Sequence, residues 1–301
     1  MSVLSQRAAN RRGITAMLIS IAFFVVNDAI VKYLGQTLGG GQTIFLRGVC
    51  AVLMLVFVAR VFGLARDFSG LKDRKVIMRS VVEACASTAY LTALFHMPLA
   101  NATAINMATP LVITLFAVLF LKEHVAPTRW LAVFGGFAGV LLIVQPAAAS
   151  FNAYSVLCVG AMLLYATRDF ITRFITSGVP TIVVAIASAI GLTLFSGGVA
   201  LFQEWKPLTL QHVGLLAAAG ACVSGAFYML IVSLRAGEMS VIAPFRYAAL
   251  LFALVLGYFI WGDIPNTMAW IGIALLVAAG IYLLHSERAR RSDAVLETAT
   301  D

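Results

Sequence analysis

Charged residues are scarce in this sequence. Only 11% of the 301 residues are Asp, Glu, Lys or Arg, against about 25% in an ordinary soluble domain. Hydrophobic residues make up 61%, and they recur in runs of roughly 20 residues, each long enough to cross the hydrocarbon layer of a bilayer. These runs do not alternate polar and apolar residues as membrane β-strands do. The composition therefore predicts an all-α integral membrane protein.

The patterns of common catalytic, nucleotide and metal sites are also missing. The chain contains no HExxH, no GxSxG and no GxxxxGK[ST] sequence, so neither these hydrolase motifs nor ATP drive is indicated. The four cysteines lie far apart without CxxC spacing, and the four histidines are scattered, which argues against a disulfide framework or a metal site. We expect neither a cofactor nor an enzymatic activity. A channel and an intramembrane enzyme remain the alternatives from other functional classes.

The distribution of basic residues predicts the topology. We place ten transmembrane helices at about 13–34, 43–63, 76–97, 101–121, 129–147, 153–173, 180–202, 212–234, 240–261 and 267–285. Sixteen basic residues then lie on the side of the two termini, one lies on the opposite side and four lie within spans. Because basic residues favour cytoplasmic loops, both termini are predicted to be cytoplasmic. The net charge of +8 reflects this bias, and we expect no nucleic-acid partner.

Similar residues recur in the same order in the two halves of the chain. Under a shift of 140 or 141 positions the matched pairs are Asp28 with Asp169, Lys32 with Arg173, Glu123 with Asp263 and Trp130 with Trp270. This predicts two five-helix repeats, 13–147 and 153–285, between cytoplasmic tails 1–12 and 286–301. Since five is odd, the second repeat enters the membrane from the opposite side. Inverted repeats of this kind are typical of secondary transporters that bind substrate near the midplane.

Two longer segments resemble a known family. Residues 93–146 contain ALFHMPLANATAINMATPLVITLFAVLFLKEH and RWLAVFGGFAGVLLIVQP, and residues 243–283 contain APFRYAALLFALVLGYFIWGD and WIGIALLVAAGIYL. Together they resemble the two EamA domains of the drug/metabolite transporter superfamily. The resemblance implies ten helices around a central cavity lined by the first, third, fourth, sixth, eighth and ninth helices.

The family also implies a function. We expect a multi-pass protein of the bacterial inner membrane that carries a small polar organic metabolite by alternating access, such as an amino-acid derivative or a vitamin like riboflavin. The alternative within the same fold is a multidrug or metal-chelating-metabolite exporter. The expected partners are the lipid bilayer, a small-molecule substrate and protons as a coupling ion, in a monomer or homodimer.

Polar side chains within the predicted spans are the candidate substrate-binding residues, because an ionised group at the bilayer centre costs about 2.5–3.5 kcal/mol. They are Asp28, Glu83, Tyr90, Asn106, Tyr165, Arg168, Asp169, Arg246 and Tyr247. Asp28 and Glu83 are the candidate proton sites, because burial disfavours an ionised carboxylate. Near Asn106, the Thr109–Pro110 step predicts a kink in the fourth helix, since proline removes one helical hydrogen bond.

Three charged candidates also have a purely structural interpretation. Asp28 is four residues from Lys32, and Glu83 is four residues from Arg79, so each carboxylate has a potential partner on its own helix. Arg246 is close enough to the cytoplasmic face to extend its side chain into water. Arg47 has no charged counterpart in the second half (179–188), which indicates either a role at one gate or a residue that extends to the interface.

Overall fold

The protein is described by a computed structural model that covers residues 3–63, 68–121, 127–145, 152–172, 174–175, 178–236 and 243–282. The helices in chain order are α1 Val3–Gly35, α2 Gly40–Val61, α3 Arg74–Leu94, α4 Leu99–Asn106, α5 Thr109–Leu121, α6 Pro127–Val144, α7 Ala153–Thr172, α8 Thr181–Ala200, α9 Leu210–Ala236, α10 Ala248–Trp261 and α11 Thr267–Tyr282. Short 3₁₀ turns cover Ser69–Lys72 and Ala243–Tyr247. The described part of the chain is thus helical throughout, as its composition predicts.

Six helical segments are long and apolar enough to cross a membrane. They are Ala9–Gly35, Gly40–Val61, Leu99–Phe120, Ala153–Thr172, Thr181–Ala200 and Leu210–Leu230, and three shorter apolar helices cover Trp130–Val144, Phe245–Trp261 and Thr267–Tyr282. Helix α3 is 21 residues long but carries Arg74, Lys75, Arg79 and Glu83 in its first half. The architecture is therefore that of a multi-pass helical membrane protein.

The fourth predicted helix is broken where the sequence predicts a kink. Helix α4 ends at Asn106 and α5 begins at Thr109. Pro110 follows directly, where its missing N–H is tolerated because the first turn of a helix has free N–H groups. The Thr109 hydroxyl donates to the backbone carbonyl of Asn106 at 2.7 Å. A 3₁₀ turn containing Pro244 similarly covers Ala243–Tyr247 within the ninth predicted helix.

Helix packing relates the first five predicted helices to the last five. Helix α1 packs against α9 and α10, while α7 packs against α3 and the broken pair α4–α5. In the same way α2 packs against α9, and α8 packs against α3. The counterparts in the two halves are α1 and α7, α2 and α8, α3 and α9, and the pair α4–α5 and α10. Replacing each helix by its counterpart turns each of these contacts into another contact of the same set. The contacts between α2 and α8 and between α4 and α10 map onto themselves.

The interior is built largely from small and aliphatic side chains, and the outer surface is apolar. Met17, Leu94, Ile105 and Met162 are fully buried in the main cluster. Large hydrophobic side chains such as Phe57, Leu131 and Leu210 are instead exposed on the outside. An apolar exterior of this extent suits a surface that contacts lipid.

Helices α6 and α11 cross at two glycines. A Cβ atom placed on Gly139 would lie 2.7 Å from the backbone oxygen of Gly272, and one on Gly272 would lie 2.6 Å from the oxygen of Gly139. The two backbones therefore touch, as small residues allow between membrane helices.

Candidate functional site

A charged cluster joins α3 to α7 inside the bundle. The Glu83 carboxylate and Arg168 guanidinium lie 2.6 Å apart, and Arg168 Nη2 lies 2.7 Å from Asp169 Oδ1. Both groups of the first pair are largely buried. A buried arginine between two carboxylates forms strong, charge-assisted hydrogen bonds, so Glu83 and Asp169 are both compensated.

Hydroxyl groups extend this cluster toward the centre. Ser87 Oγ donates to Glu83 Oε1 at 2.9 Å and lies 3.1 Å from the Tyr165 hydroxyl. The Arg168 guanidinium carbon is 4.8 Å from the centre of the Tyr165 ring, a cation–π distance. Ser87 was not among the sequence candidates, because one serine in an alanine-rich helix carries no distinctive signal.

Asp28 lies at the other end of the same polar chain. Its carboxylate accepts hydrogen bonds from the Tyr90 hydroxyl at 3.0 Å and from the Asn27 amide at 2.9 Å. The Tyr90 ring packs edge-on against Tyr165, with 6.0 Å between ring centroids. Polar side chains therefore extend from Asp28 on α1, through α3, to Asp169 on α7, with a ring contact rather than a hydrogen bond between Tyr90 and Tyr165.

The local ion pairs that the sequence allows are not formed. Lys32 Nζ donates to the Met97 backbone oxygen at 2.7 Å and lies 3.5 Å from the Asp263 carboxylate, rather than binding Asp28. It also lies 4.6 Å from the centre of the Trp261 ring. Lys32 is only 6% exposed, so its side chain is enclosed by these neighbours.

Arg79 likewise bonds elsewhere than Glu83. Its Nε donates to the Thr172 hydroxyl at 2.8 Å, and its Nη1 donates to Ser188. Arg79 therefore ties α3 to the end of α7 and to α8. Glu83 is left to Arg168, a residue 85 positions away.

Arg47 is a further charged residue near the site, for which the sequence left open a role at one gate or an extension to the interface. It is 9% exposed, and its Nε has no hydrogen-bond partner within the part of the chain that the structure describes. It lies on α2 seven residues after Gly40, at a similar depth to Asp28, which lies on α1 seven residues before Gly35. The available signal was an arginine seven residues into an apolar helix.

Three of the predicted site residues lie outside this polar chain. Asn106 accepts from Thr109 at the break between α4 and α5. Tyr247 packs its hydroxyl against Gly280 of α11, and Arg246 is exposed. Their substrate role stays a prediction. The match of Lys32 with Arg173 in the second half also stays a prediction, because Arg173 lies outside the described residues.

The chain is similar to known membrane transporters over nearly its whole length. The model of a family described as the EamA-like transporter family matches residues 11–145 and again residues 153–285. The S-adenosylmethionine uptake transporter of Rickettsia bellii is 26% identical over 276 residues, which cover 92% of this chain and 94% of that protein. The pseudopaline exporter of Pseudomonas aeruginosa is 27% identical over 281 residues, covering 91% and 95% of the two chains.

Two further similarities concern a vitamin transporter and the fold. The riboflavin transporter of Rhizobium johnstonii is 29% identical over 214 residues, covering 71% of each chain. A crystal structure of a protein superposes with a TM-score of 0.62 at 18% sequence identity, covering 93% of this chain and 98% of the other. At that identity the superposition shows a shared fold alone.

Proposed function

The chain belongs to the EamA-like transporter family through both of its halves, and we propose that it carries an amino-acid derivative across the bacterial inner membrane by alternating access. The general class, a small-metabolite transporter, follows from the family and from relatives that are transporters rather than enzymes. The narrower substrate class rests on the site. Its central observation is the acidic, basic and hydroxyl-bearing chain from Asp28 to Asp169 inside an apolar bundle.

Riboflavin is the second candidate substrate. The tyrosine rings at positions 90 and 165 flank the polar chain, and aromatic rings of this kind stack on planar ligands. The charged groups favour the amino-acid derivative, because buried ionised side chains are best offset by opposite charges on the ligand. S-adenosylmethionine, an amino-acid derivative that carries a carboxylate and positive charges, is therefore the first probe to use.

The proposed mechanism uses ten helices arranged as two inverted repeats with both termini cytoplasmic. The exchange symmetry of the helix contacts supports this arrangement, as does the run of matched residues in the two halves. In it, Lys32 and Asp263 lie near the outer ends of α1 and α10, and Arg79 lies near the inner end of α3. Opening the site to one side or the other would break the contacts of Lys32 or those of Arg79.

Counterflow tests the proposal. Proteoliposomes containing the purified protein are loaded with unlabelled S-adenosylmethionine and diluted into labelled S-adenosylmethionine or labelled riboflavin. A carrier that recognises S-adenosylmethionine accumulates the label transiently, with saturable kinetics, and Arg168→Ala reduces the initial rate at least tenfold. The matched variant Arg60→Ala, on the exposed end of α2, keeps the wild-type rate. Linear flux without saturation or counterflow would identify a pore and contradict the proposal.

The direction of transport needs its own measurement. The relatives include a protein named for uptake and one named for export, so similarity does not decide between them. We expect protons to drive the transport. Accumulation of S-adenosylmethionine against its gradient, under an imposed pH gradient of either sign, shows which direction is driven. Equal rates under both signs and without a gradient would contradict proton coupling.

A further inference from the structure

Two opposite charges, those of Asp28 in the polar chain and Arg47 on α2, have no ion-pair partner among the described residues. Glu83 and Asp169 share Arg168, and Lys32 has Asp263. Asp28 and Arg47 form no ion pair within 4.0 Å. Arg47 is buried and Asp28 is partly buried. A charge removed from water without a partner is costly, so a transporter that keeps two such charges beside one polar chain is expected to pair them with its substrate.

The surroundings of Asp28 and Arg47 differ in a way that suits a bridging ligand. Asp28 accepts from two neutral donors, Tyr90 and Asn27, which hold the carboxylate in place without neutralising it. Arg47 is nine-tenths buried, and its Nε is unpartnered. The two residues come from consecutive helices. Asp28 lies seven residues before the end of α1 at Gly35 and Arg47 lies seven residues after the start of α2 at Gly40, which places them at a similar depth.

From this arrangement we infer that Arg47 and Asp28 bind the two ends of a zwitterion. Arg47 binds the substrate carboxylate, for which its planar guanidinium is suited through paired hydrogen bonds. Asp28 binds the ammonium or another cationic group of the same molecule. The inference rests on the proposed transport function and narrows its substrate class to zwitterions. Riboflavin, which has neither a carboxylate nor an ammonium group, would not satisfy this pair of residues.

The experiment distinguishes recognition of the substrate carboxylate from recognition of its cationic group. Initial uptake into proteoliposomes is measured for S-adenosylmethionine and for its decarboxylated form, which keeps the positive charges but lacks the carboxylate. Arg47→Gln is expected to raise the half-saturation concentration of S-adenosylmethionine on the order of tenfold to a hundredfold, as for loss of a charged hydrogen-bonding group. The same variant leaves the decarboxylated form within about twofold of its wild-type value.

Two further variants complete the design. Asp28→Asn is expected to weaken uptake of both compounds, because both keep the cationic group. Arg60→Gln repeats the arginine substitution on the exposed end of α2 and changes neither. Arg47→Lys keeps the charge without the planar fork, so its effect on S-adenosylmethionine lies between those of wild type and Arg47→Gln. Thermal unfolding of each purified variant confirms that it is folded.

The outcomes distinguish the two proposals. If Arg47→Gln weakens both compounds equally, or neither, while counterflow persists, the zwitterion inference is overturned and the transporter remains. Counterflow of riboflavin without counterflow of S-adenosylmethionine has the same meaning. If the wild-type protein shows no counterflow with any of the three compounds, the proposed function itself fails, and the inference falls with it.

Discussion

Single residues in the centre of the bundle differ in how completely their charges are compensated. Glu83 and Arg168 lie 2.6 Å apart with side chains 15% and 20% exposed. Removing one member of a buried ion pair leaves the other unpaired, at a typical cost of about 3–5 kcal/mol. Arg168→Gln is therefore expected to lower the free energy of unfolding in detergent by about that amount.

The double variant Glu83→Gln/Arg168→Gln checks the cause. It is expected to be less destabilised than the sum of the single variants, because it leaves no unpaired Glu83 or Arg168 charge. Chemical unfolding curves of the four proteins measure this coupling. Strict additivity would show that the two side chains do not stabilise each other.

Asp28 is the residue at which we propose that substrate and proton binding compete. Under the proposed proton coupling, Asp28→Asn removes a proton site and makes uptake insensitive to an imposed pH gradient. The measurement compares uptake with and without that gradient, at substrate concentrations that saturate each variant. Glu204→Gln, an exposed acidic residue between α8 and α9, is the matched control and keeps the gradient response. An unchanged gradient response in Asp28→Asn would remove Asp28 from the proton path.

At the scale of helices, the contact between α6 and α11 depends on side-chain size. Gly139→Ala would place its Cβ 2.7 Å from a backbone oxygen of α11, and a backbone cannot rotate away as a side chain can. We expect a loss of about 1–3 kcal/mol in unfolding free energy, the usual cost of overpacking. Thermal unfolding and the fraction of monodisperse protein measure the loss.

Gly160 in α7 provides the control. A Cβ there meets no heavy atom within 4 Å, so Gly160→Ala is expected to be neutral or to stabilise the helix by up to about 1 kcal/mol. If both alanine variants behave alike, the contact at Gly139 is not as close as described.

For the whole molecule, the two ends of the bundle are held by different residues. Lys32 joins the end of α1 to Met97 and Asp263, whereas Arg79 joins α3 to Thr172 and Ser188. In a cysteine-free background with Ser87→Cys, Lys32→Met is expected to increase labelling by a membrane-impermeant maleimide from the outer side. Arg79→Met should increase labelling from the cytoplasmic side. Increases on the same side in both variants would contradict alternating access around Ser87.

The topology is also a property of the whole chain. The distribution of basic residues predicts cytoplasmic termini. A fluorescent protein fused after Asp301 is therefore expected to fluoresce, and alkaline phosphatase fused there to be inactive. Alkaline phosphatase inserted between Glu204 and Trp205 is expected to be active, because that loop is predicted to lie on the opposite side. The reversed pattern would invert the proposed orientation.

The helical membrane class and six residues of the polar chain could be predicted from the sequence, but Ser87 and the partners of these residues could not. Runs of apolar residues and the Thr109–Pro110 step are local signals, and both predict features that the structure has. Five of the nine predicted site residues join Asp28 in one polar chain: Glu83, Tyr90, Tyr165, Arg168 and Asp169. Asn106, Arg246 and Tyr247 share the residue types of that group but not its position. The two sets differ in whether helix packing brings them next to the polar chain. The sequence pattern contains no information about distances between helices.

By itself, the sequence determined that this chain is a helical membrane protein and a transporter of its family. The length of its apolar runs and the order of the residues that resemble the family are both local properties of the sequence. Only the tertiary structure decided which charges meet. Lys32 binds Asp263, 231 positions away, instead of Asp28 four positions away, and Glu83 binds Arg168 instead of Arg79. In both cases helix packing brings a residue from another helix closer than the residue four positions away on the same helix. The same packing leaves Asp28 and Arg47 without an ion pair among the described residues.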